Sequence, residues 1–294
     1  MKNIKLLFFL FAVLFINKSF AQIPEEGREI VNDLLFLADG FASPASESAA
    51  YQATASWFTS ARALDPWKVD VSFHGNSLFV PSSKKEFTVN QVDFSNLIIN
   101  DGDNGAVIPT AFGKKSPVMF RGSFQGEEFS FPAIEGVDKS ALIYPFAQVS
   151  VGLPRGFQLG IRAMPEIEID GAKFSTYGIG LKHNFSQYFR FNDEEDLQLA
   201  AILAYDIFDV KYSFEQISVP DLVSLNLIDV NAGVWMAEVM ASKRYEDFEI
   251  FGALGVAQSD FEYEFGGSGI ALPFVNSEVA SLNDKEAQFK GDIG

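Results

Sequence analysis

From residue 141 onward the chain alternates. In FQLGIRAMPEIEI (157–169) every second residue is apolar: Phe157, Leu159, Ile161, Ala163, Pro165, Ile167 and Ile169. Between them stand Gln158, Gly160, Arg162, Met164, Glu166 and Glu168. A period of two predicts a strand with two unlike faces. Runs of this kind cover roughly 141–153, 157–169, 174–190, 197–213, 230–245 and 248–265. Soluble strands average about 5–6 residues, whereas a tilted strand crossing a bilayer needs about 9–11. The spacing predicts long antiparallel hairpins, and the lack of a fixed-period repeat argues against solenoids and propellers. Further upstream, WKVDVSF places Trp67, Val69, Val71 and Phe73 on one side, KEFTVNQVDF is a second run and SPVMFRGSF a weaker third. NDGDNGAVIPTAFGKK reads as the loop between the last two.

The pattern near the N-terminus is helical. Pro24, Glu25 and Glu26 suit a helix start and Gly40 its end, with Ile30, Leu34, Leu37 and Phe41 on one face. FASPASESAAYQATASWFTSARALDP follows, too apolar for a linker and too irregular for a strand. Ahead of the helix, MKNIK, the apolar block LLFFLFAVLFI and the exit NKSFAQ form a secretory signal peptide cut between Ala21 and Gln22. No later segment is long and apolar enough for a transmembrane helix.

Connections and aromatics sharpen the strand reading. LPRG (153–156), DGAK (170–173), FNDEED (191–196) and YEDF (245–248) are short, and FEQISVPDLVSLNLID (214–229) reads as a long loop. With LPRG on the periplasmic side, 191–196 and 245–248 fall there too and the long connections lie opposite. That is the rule for outer-membrane barrels, DGAK being the exception. Phe185, Tyr188, Phe189 and Phe191 crowd one strand end, Tyr205, Phe208, Tyr212 and Phe214 another, and Tyr245, Phe248 and Phe251 a third. Aromatic belts of this kind sit at lipid headgroups, although β-propensity also gathers aromatics. The run 197–213 changes phase near Asp206, as a bulge would cause. Glu238, among Ala232, Val234, Met236 and Met240, is costly in lipid and is expected near a strand end or facing inward.

Composition narrows the setting. There is no cysteine, so an exported chain of this size relies on a large sheet rather than on cross-links. Asp and Glu number 39 against 22 Lys and Arg, and Lys2, Lys5 and Lys18 leave with the signal. A nucleic-acid partner needs basic clusters and is excluded. Reactive chemistry is sparse. His74 and His183 are the two histidines, G-x-S-x-G and H-E-x-x-H are absent, and zinc sites of the usual kind lack ligands. Asp101-Gly-Asp103-Asn-Gly105 has the flavour of a calcium loop without its distal Glu and reads as a turn. No catalytic residue, metal or cofactor is assigned, and an enzyme is not expected.

An order of segments also resembles something known. SWFTSARALDPWKVDVSF, then IPTAFG, VGLPRGFQLGIRAMPEIEI and YGIGLKHNFSQYF look like an uncharacterised family of outer-membrane barrels of gut- and marine-type Gram-negative bacteria. That family is similar in build to the long-chain fatty acid transporters, and the resemblance covers most of the mature chain. It implies that the N-terminal helix and the small-residue stretch plug the lumen while an apolar ligand passes beside them.

The expectation is therefore an all-β fold: an antiparallel transmembrane β-barrel with a short N-terminal helical plug. Residues 1–21 are the signal peptide, 22–66 the helix and plug, and 67–294 the barrel. The ending SLNDKEAQFKGDIG reads as polar, loop-like text without a closing strand, so the barrel is expected to be incomplete, because lipid does not permit an open edge. Ile30, Leu34, Leu37, Phe41, Trp57 and Phe58 would form plug and apolar gate, and Gln158, Arg162, Glu166 and Glu168 a polar lumen. The expected partners are outer-membrane lipid, a hydrophobic small molecule and the barrel assembly machinery. The function expected is uptake or handling of such molecules. The alternatives are a structural or secretion-partner barrel that transports nothing, and a secreted soluble lipid-binding β-protein.

Overall fold

The computed structural model describes residues 23–55, 57–100, 102–169, 172–189, 197–281 and 285–293. The signal segment 1–21, Asp101 and the turn residues 170–171 and 191–196 lie outside the described residues. The chain runs from α1 (Glu25–Thr54) into β1 (Val69–Phe79) and then through five short strands. These are β2 (Glu86–Asn90), β3 (Ile98–Ile99), β4 (Gly105–Pro109), β5 (Met119–Phe124) and β6 (Glu127–Pro132). The long strands follow: β7 (Ala141–Leu153), β8 (Phe157–Ile169), β9 (Ala172–Asn184), β10 (Gln198–Val219), β11 (Val223–Tyr245) and β12 (Phe248–Ser268). A helix α2 (Leu272–Ser281) and β13 (Lys285–Ile293) complete the described chain.

The architecture is mostly antiparallel β. One curled, half-barrel sheet of eight strands has the order β1-β7-β8-β9-β10-β11-β12-β13. The short strands form two small sheets, β2-β4 and β3-β5-β6, so part of the stretch read as barrel is a separate cap. Phe120, Phe124, Phe129 and Phe131 of the cap share one apolar core with Ile30, Leu34, Leu37 and Phe41 of α1 and with Phe208, Ile228, Phe261 and Phe265 of the long strands. Buried Asp33 on α1 ties the cap down, accepting from the backbone N–H groups of Ser95, Asn96 and Leu97 at 2.8–2.9 Å.

Three expectations about element ends are corrected. The helix starts as expected but runs through Gly40 and Pro44 to Thr54. Gly40 serves close packing: a Cβ there would lie 2.3 Å from the Phe87 ring. The Ala-rich turns that follow favour helix. Pro44 disturbs the ladder behind it, and the Phe41 carbonyl is taken up by the N–H of Ala111 at 2.9 Å. Residues 214–229 are not a long loop, since β10 and β11 continue to a tight turn between Val219 and Val223. The polar C-terminal text holds β13, paired with β12 from Gly252↔Ile293 to Asp260↔Lys285.

Two phase expectations change as well. Nothing slips near Asp206, which stays in register between Gly178 and Val234, and the irregularity in β10 lies between Ser213 and Ile217. In β8 the register shifts between Met164 and Ile167. Because the side-chain period is two, that shift moves the later residues to the other face. Gln158 and Arg162 are buried, but Glu166 and Glu168 are exposed, with Glu166 facing Lys173 at 3.6 Å. The four residues do not share a polar face.

The two faces of the sheet differ in kind. Val69, Val151, Leu159, Leu181, Leu203, Ala237, Val256 and Phe289 stand in one continuous row across all eight strands. All eight point away from the helix side and are exposed or half-exposed. The next row carries Val71, Val149, Ile161, Ile179, Tyr205 and Trp235, again outward. Farther along the three longest strands the outward residues turn charged. Asp209 sits level with Asn231 and Glu262, and Lys211 with Asp229 and Glu264. Lys211 lies 3.5 Å from both Asp209 and Asp229.

Candidate functional site

On the inner face, the row beside those outward leucines and valines carries Gln158, Lys182, Glu238 and Lys290. Four residues further along the strands, past Gly160, Gly180 and Ala204, stand Arg162, Gly178 and Asp206. These side chains are buried because the segment after α1 lies across them. Lys290 Nζ donates to the Thr54 carbonyl at 2.7 Å and Arg162 Nη1 to that of Ala55 at 2.9 Å. Gln148 Nε2 donates to Trp57 O at 3.0 Å, and Lys182 Nζ to Ser60 O and Arg62 O at 2.8 and 2.6 Å. Asn184 Nδ2 donates to Ala61 O at 2.8 Å. In the other direction, Ala61 N donates to Ser242 Oγ at 3.0 Å and Leu64 N to Gln158 Oε1 at 3.1 Å. An irregular backbone buried in a sheet must place its carbonyls and N–H groups somewhere, and here the inward polar residues receive them.

The centre of this arrangement is Trp57. Its Nε1–H donates to Asp206 Oδ2 at 2.9 Å, and Asp206 Oδ1 accepts from Arg162 Nε at 2.8 Å. The guanidinium lies 4.1 Å from the Trp57 ring centre and 5.0 Å from that of Phe146, so it is stacked between aromatics as well as paired. Glycines make the socket. A Cβ on Gly180 would lie 2.5 Å from Trp57 Cε3, and one on Gly178 would lie 2.0 Å from Asp206 Oδ1. Lys290 forms a second buried pair, 3.6 Å from Glu238 and 2.6 Å from Asp292. Glu238 thus faces inward, one of the two places expected for it.

Two cavities flank the cluster, and β7 orders them. Leu142 and Tyr144 line an apolar cavity of about 120 Å³ with Phe41, Gln52, Phe174 and Phe208. Phe146 comes next, over Arg162. Gln148 and Ser150 then line a polar cavity of about 550 Å³ with Ser60, Arg62, His74, Lys182 and Glu249. At its edge Lys68 pairs with Asp65 at 2.5 Å, and that hydrogen bond raises the Lys68 amine above its ordinary pKa. The polar cavity mixes both signs of charge. Among the described residues no group of three His, Cys, Asp or Glu is placed to hold a metal ion. His183 points outward and stacks on Phe157 at 4.0 Å.

The residues expected to form one apolar gate belong to two clusters. Ile30, Leu34, Leu37 and Phe41 lie in the large core shared with the cap, whereas Trp57 and Phe58 pack with Ala61, Ile202, Met236 and Met240. Gln158 and Arg162, expected in a polar lumen, face inward and bond the backbone of residues 55–64. Asp206, Lys182, Glu238, Lys290 and Gln52 were not singled out by the sequence as site residues. Alternation within YGIGLKH does put Gly178, Gly180 and Lys182 on one face. Nothing local marks the partners of Asp206 or Lys290.

The model of the family described as Family of unknown function (DUF6588) matches residues 1–294, and the chain belongs to that family. No curated protein and no solved structure matches the chain.

Proposed function

For this member of a family without an assigned activity, we propose an outer-membrane β-barrel protein that takes up or handles a hydrophobic small molecule, with residues 54–64 as its plug. One observation carries the reading: the outward row is apolar across all eight strands, while the adjoining inward row holds Gln158, Lys182, Glu238 and Lys290. A protein in water buries its apolar face, and a sheet in lipid reverses that order. No described helix is long and apolar enough to cross a membrane, so any crossing falls to strands.

The dimensions support the same reading. On β11, Trp235 and Tyr245 are ten residues apart, about 33 Å along a strand at roughly 3.3 Å per residue. A tilt of about 40° leaves about 25 Å, the height of the apolar band of such barrels. Exposed Tyr177 and Trp235 with half-buried Tyr205 mark one border, and exposed Tyr188, Phe189, Tyr245 and Phe248 the other. The charged residues Asp209, Lys211, Asp229, Glu262 and Glu264 begin beyond the first border.

Two measurements test the reading. The chain has three tryptophans. A protein keeping only Trp235 (Trp57→Phe, Trp67→Phe) is expected to be quenched by brominated lipid, and one keeping only Trp57 (Trp67→Phe, Trp235→Phe) is not. An unquenched Trp235 in folded protein overturns the lipid-facing assignment and leaves a soluble lipid-binding protein. Val239→Arg, outward on β11 and near midway between Trp235 and Tyr245, is expected to destabilise by about 2–4 kcal/mol. Asn231→Arg, beyond the border, is expected to change stability by less than about 1 kcal/mol. Equal effects in a denaturant titration in detergent would count against a bilayer boundary between the two positions.

A further inference from the structure

We propose that the apolar cavity beside α1 is a binding site for a small uncharged molecule with one hydroxyl group, held by the side-chain amide of Gln52. This deepens the preceding reading, and rests on it only for the role of the site in uptake.

Gln52 is the unexplained group. It lies in the last turn of α1 and is 6% exposed, and its Oε1 is buried without a hydrogen-bond partner. Most buried polar atoms in folded proteins are satisfied, so such an atom calls for a reason. Gln52 lines the cavity. A water molecule there would need two to four polar partners, and the hydroxyls of Ser46, Ser48 and Tyr212 are engaged elsewhere. Ser46 Oγ donates to Ala42 O and accepts from Tyr263 Oη, and Ser48 Oγ donates to Pro44 O. Tyr212 Oη donates to Glu135 O.

The rest of the wall sets the ligand class. Among the described residues that line the cavity there is no Asp, Glu, Lys, Arg or His. An anion such as a carboxylate would lose its hydration there without a counter-charge. Arg162 does not line the cavity, and its charge is already matched by Asp206. A volume of about 120 Å³ is close to that of an engineered apolar cavity of about 150 Å³ that accepts benzene. The fit is therefore a benzene-sized body with one hydroxyl. A hydroxyl donates to the amide oxygen and accepts from its nitrogen, so it suits either rotation of the Gln52 amide.

The test uses full-length protein in lipid nanodiscs and three probes of one shape: benzyl alcohol, toluene and benzoate, with dissociation constants from saturation-transfer NMR. Benzyl alcohol is expected to bind about five- to tenfold more tightly than toluene, the size of one net hydrogen bond, and benzoate not at all. Gln52→Leu is expected to keep toluene binding, erase the preference for the alcohol and raise the melting midpoint, because an unpaired buried amide is removed. Ala45→Phe, which fills the cavity, is expected to abolish both. Benzoate binding as well as the alcohol, or an unchanged preference in Gln52→Leu, overturns the proposal. Proteoliposome uptake separates the two readings. Selective binding without faster entry of benzyl alcohol upholds the site and overturns uptake, whereas entry unaffected by Gln52→Leu and Ala45→Phe overturns this site as a station on the path.

Discussion

Arg162→Leu is expected to lower the stability of the folded protein by about 3–5 kcal/mol, the usual cost of leaving one member of a buried ion pair without its partner. Both side chains are almost wholly buried, at 2% and 1% exposed for Arg162 and Asp206. With the guanidinium gone, the Asp206 carboxylate keeps only the Trp57 N–H, and the Ala55 carbonyl loses its donor. Arg162→Leu with Asp206→Asn is expected to recover more than half of the loss, because the neutral amide still accepts from Trp57 and no bare charge remains. Guanidinium unfolding in detergent would give both values. If the two substitutions simply add, the pair is not the electrostatic unit its 2.8 Å contact indicates. Arg162→Lys is expected to fall between, since an ammonium keeps the charge but loses the stacking on Trp57 and Phe146.

The second large effect is expected at Gly180. A valine there would drive its Cβ against the Trp57 ring, at 2.5 Å from Cε3, and its branch further in. Overpacking of this kind costs about 1–3 kcal/mol. The strand that carries Gly180 cannot move without breaking register with Ala204 and Gly160. The indole is therefore the part that leaves. On the plug reading, displacing Trp57 opens the wall between the apolar and polar cavities, so entry of small solutes into proteoliposomes should rise severalfold. Trp57 emission in a Trp67→Phe, Trp235→Phe background should shift to the red. A folded Gly180→Val protein with unshifted emission would show that the socket is looser than its distances. A shift without added permeability would leave the socket intact as a description and remove the plug. Gly180→Val with Trp57→Ala should be better than additive, because the smaller side chain makes the room the larger one needs.

How far the sequence reaches is clear from single elements. The bounds of β7 and β8 were legible because strict alternation meets Pro154 and Gly156 between them. The start of α1 was legible from Pro24 and two acidic residues. Its end was not, because Gly40 answers to Phe87, a contact made 47 residues later. The hairpin through 219–223 was hidden because its outward residues are polar and its inward ones face the cap core. Strand β13 was hidden because Phe289 and Ile293 are spaced among polar residues. At the site, Gln158 and Arg162 followed from alternation. Glu166 and Glu168 misled because a bulge carries no reliable local mark. Asp206 and Glu238 read as irregularities in apolar strands until their partners, Arg162 and Lys290, were placed across the sheet.

The fastening of residues 54–64 to the sheet also imposes an order in time. Residues 54–64 precede every strand in the chain, yet the groups that fasten them come from β7 to β13, and the contact of Thr54 with Lys290 closes a separation of 236 residues. Contacts so distant form late, after the intervening chain has paid its loop entropy. A stretch that emerges before every strand is thus among the last to be locked. Until β7 to β10 are made, the carbonyls after Thr54 and the indole of Trp57 have no lasting partners, and the nascent chain depends on its surroundings to keep that stretch from sticking elsewhere.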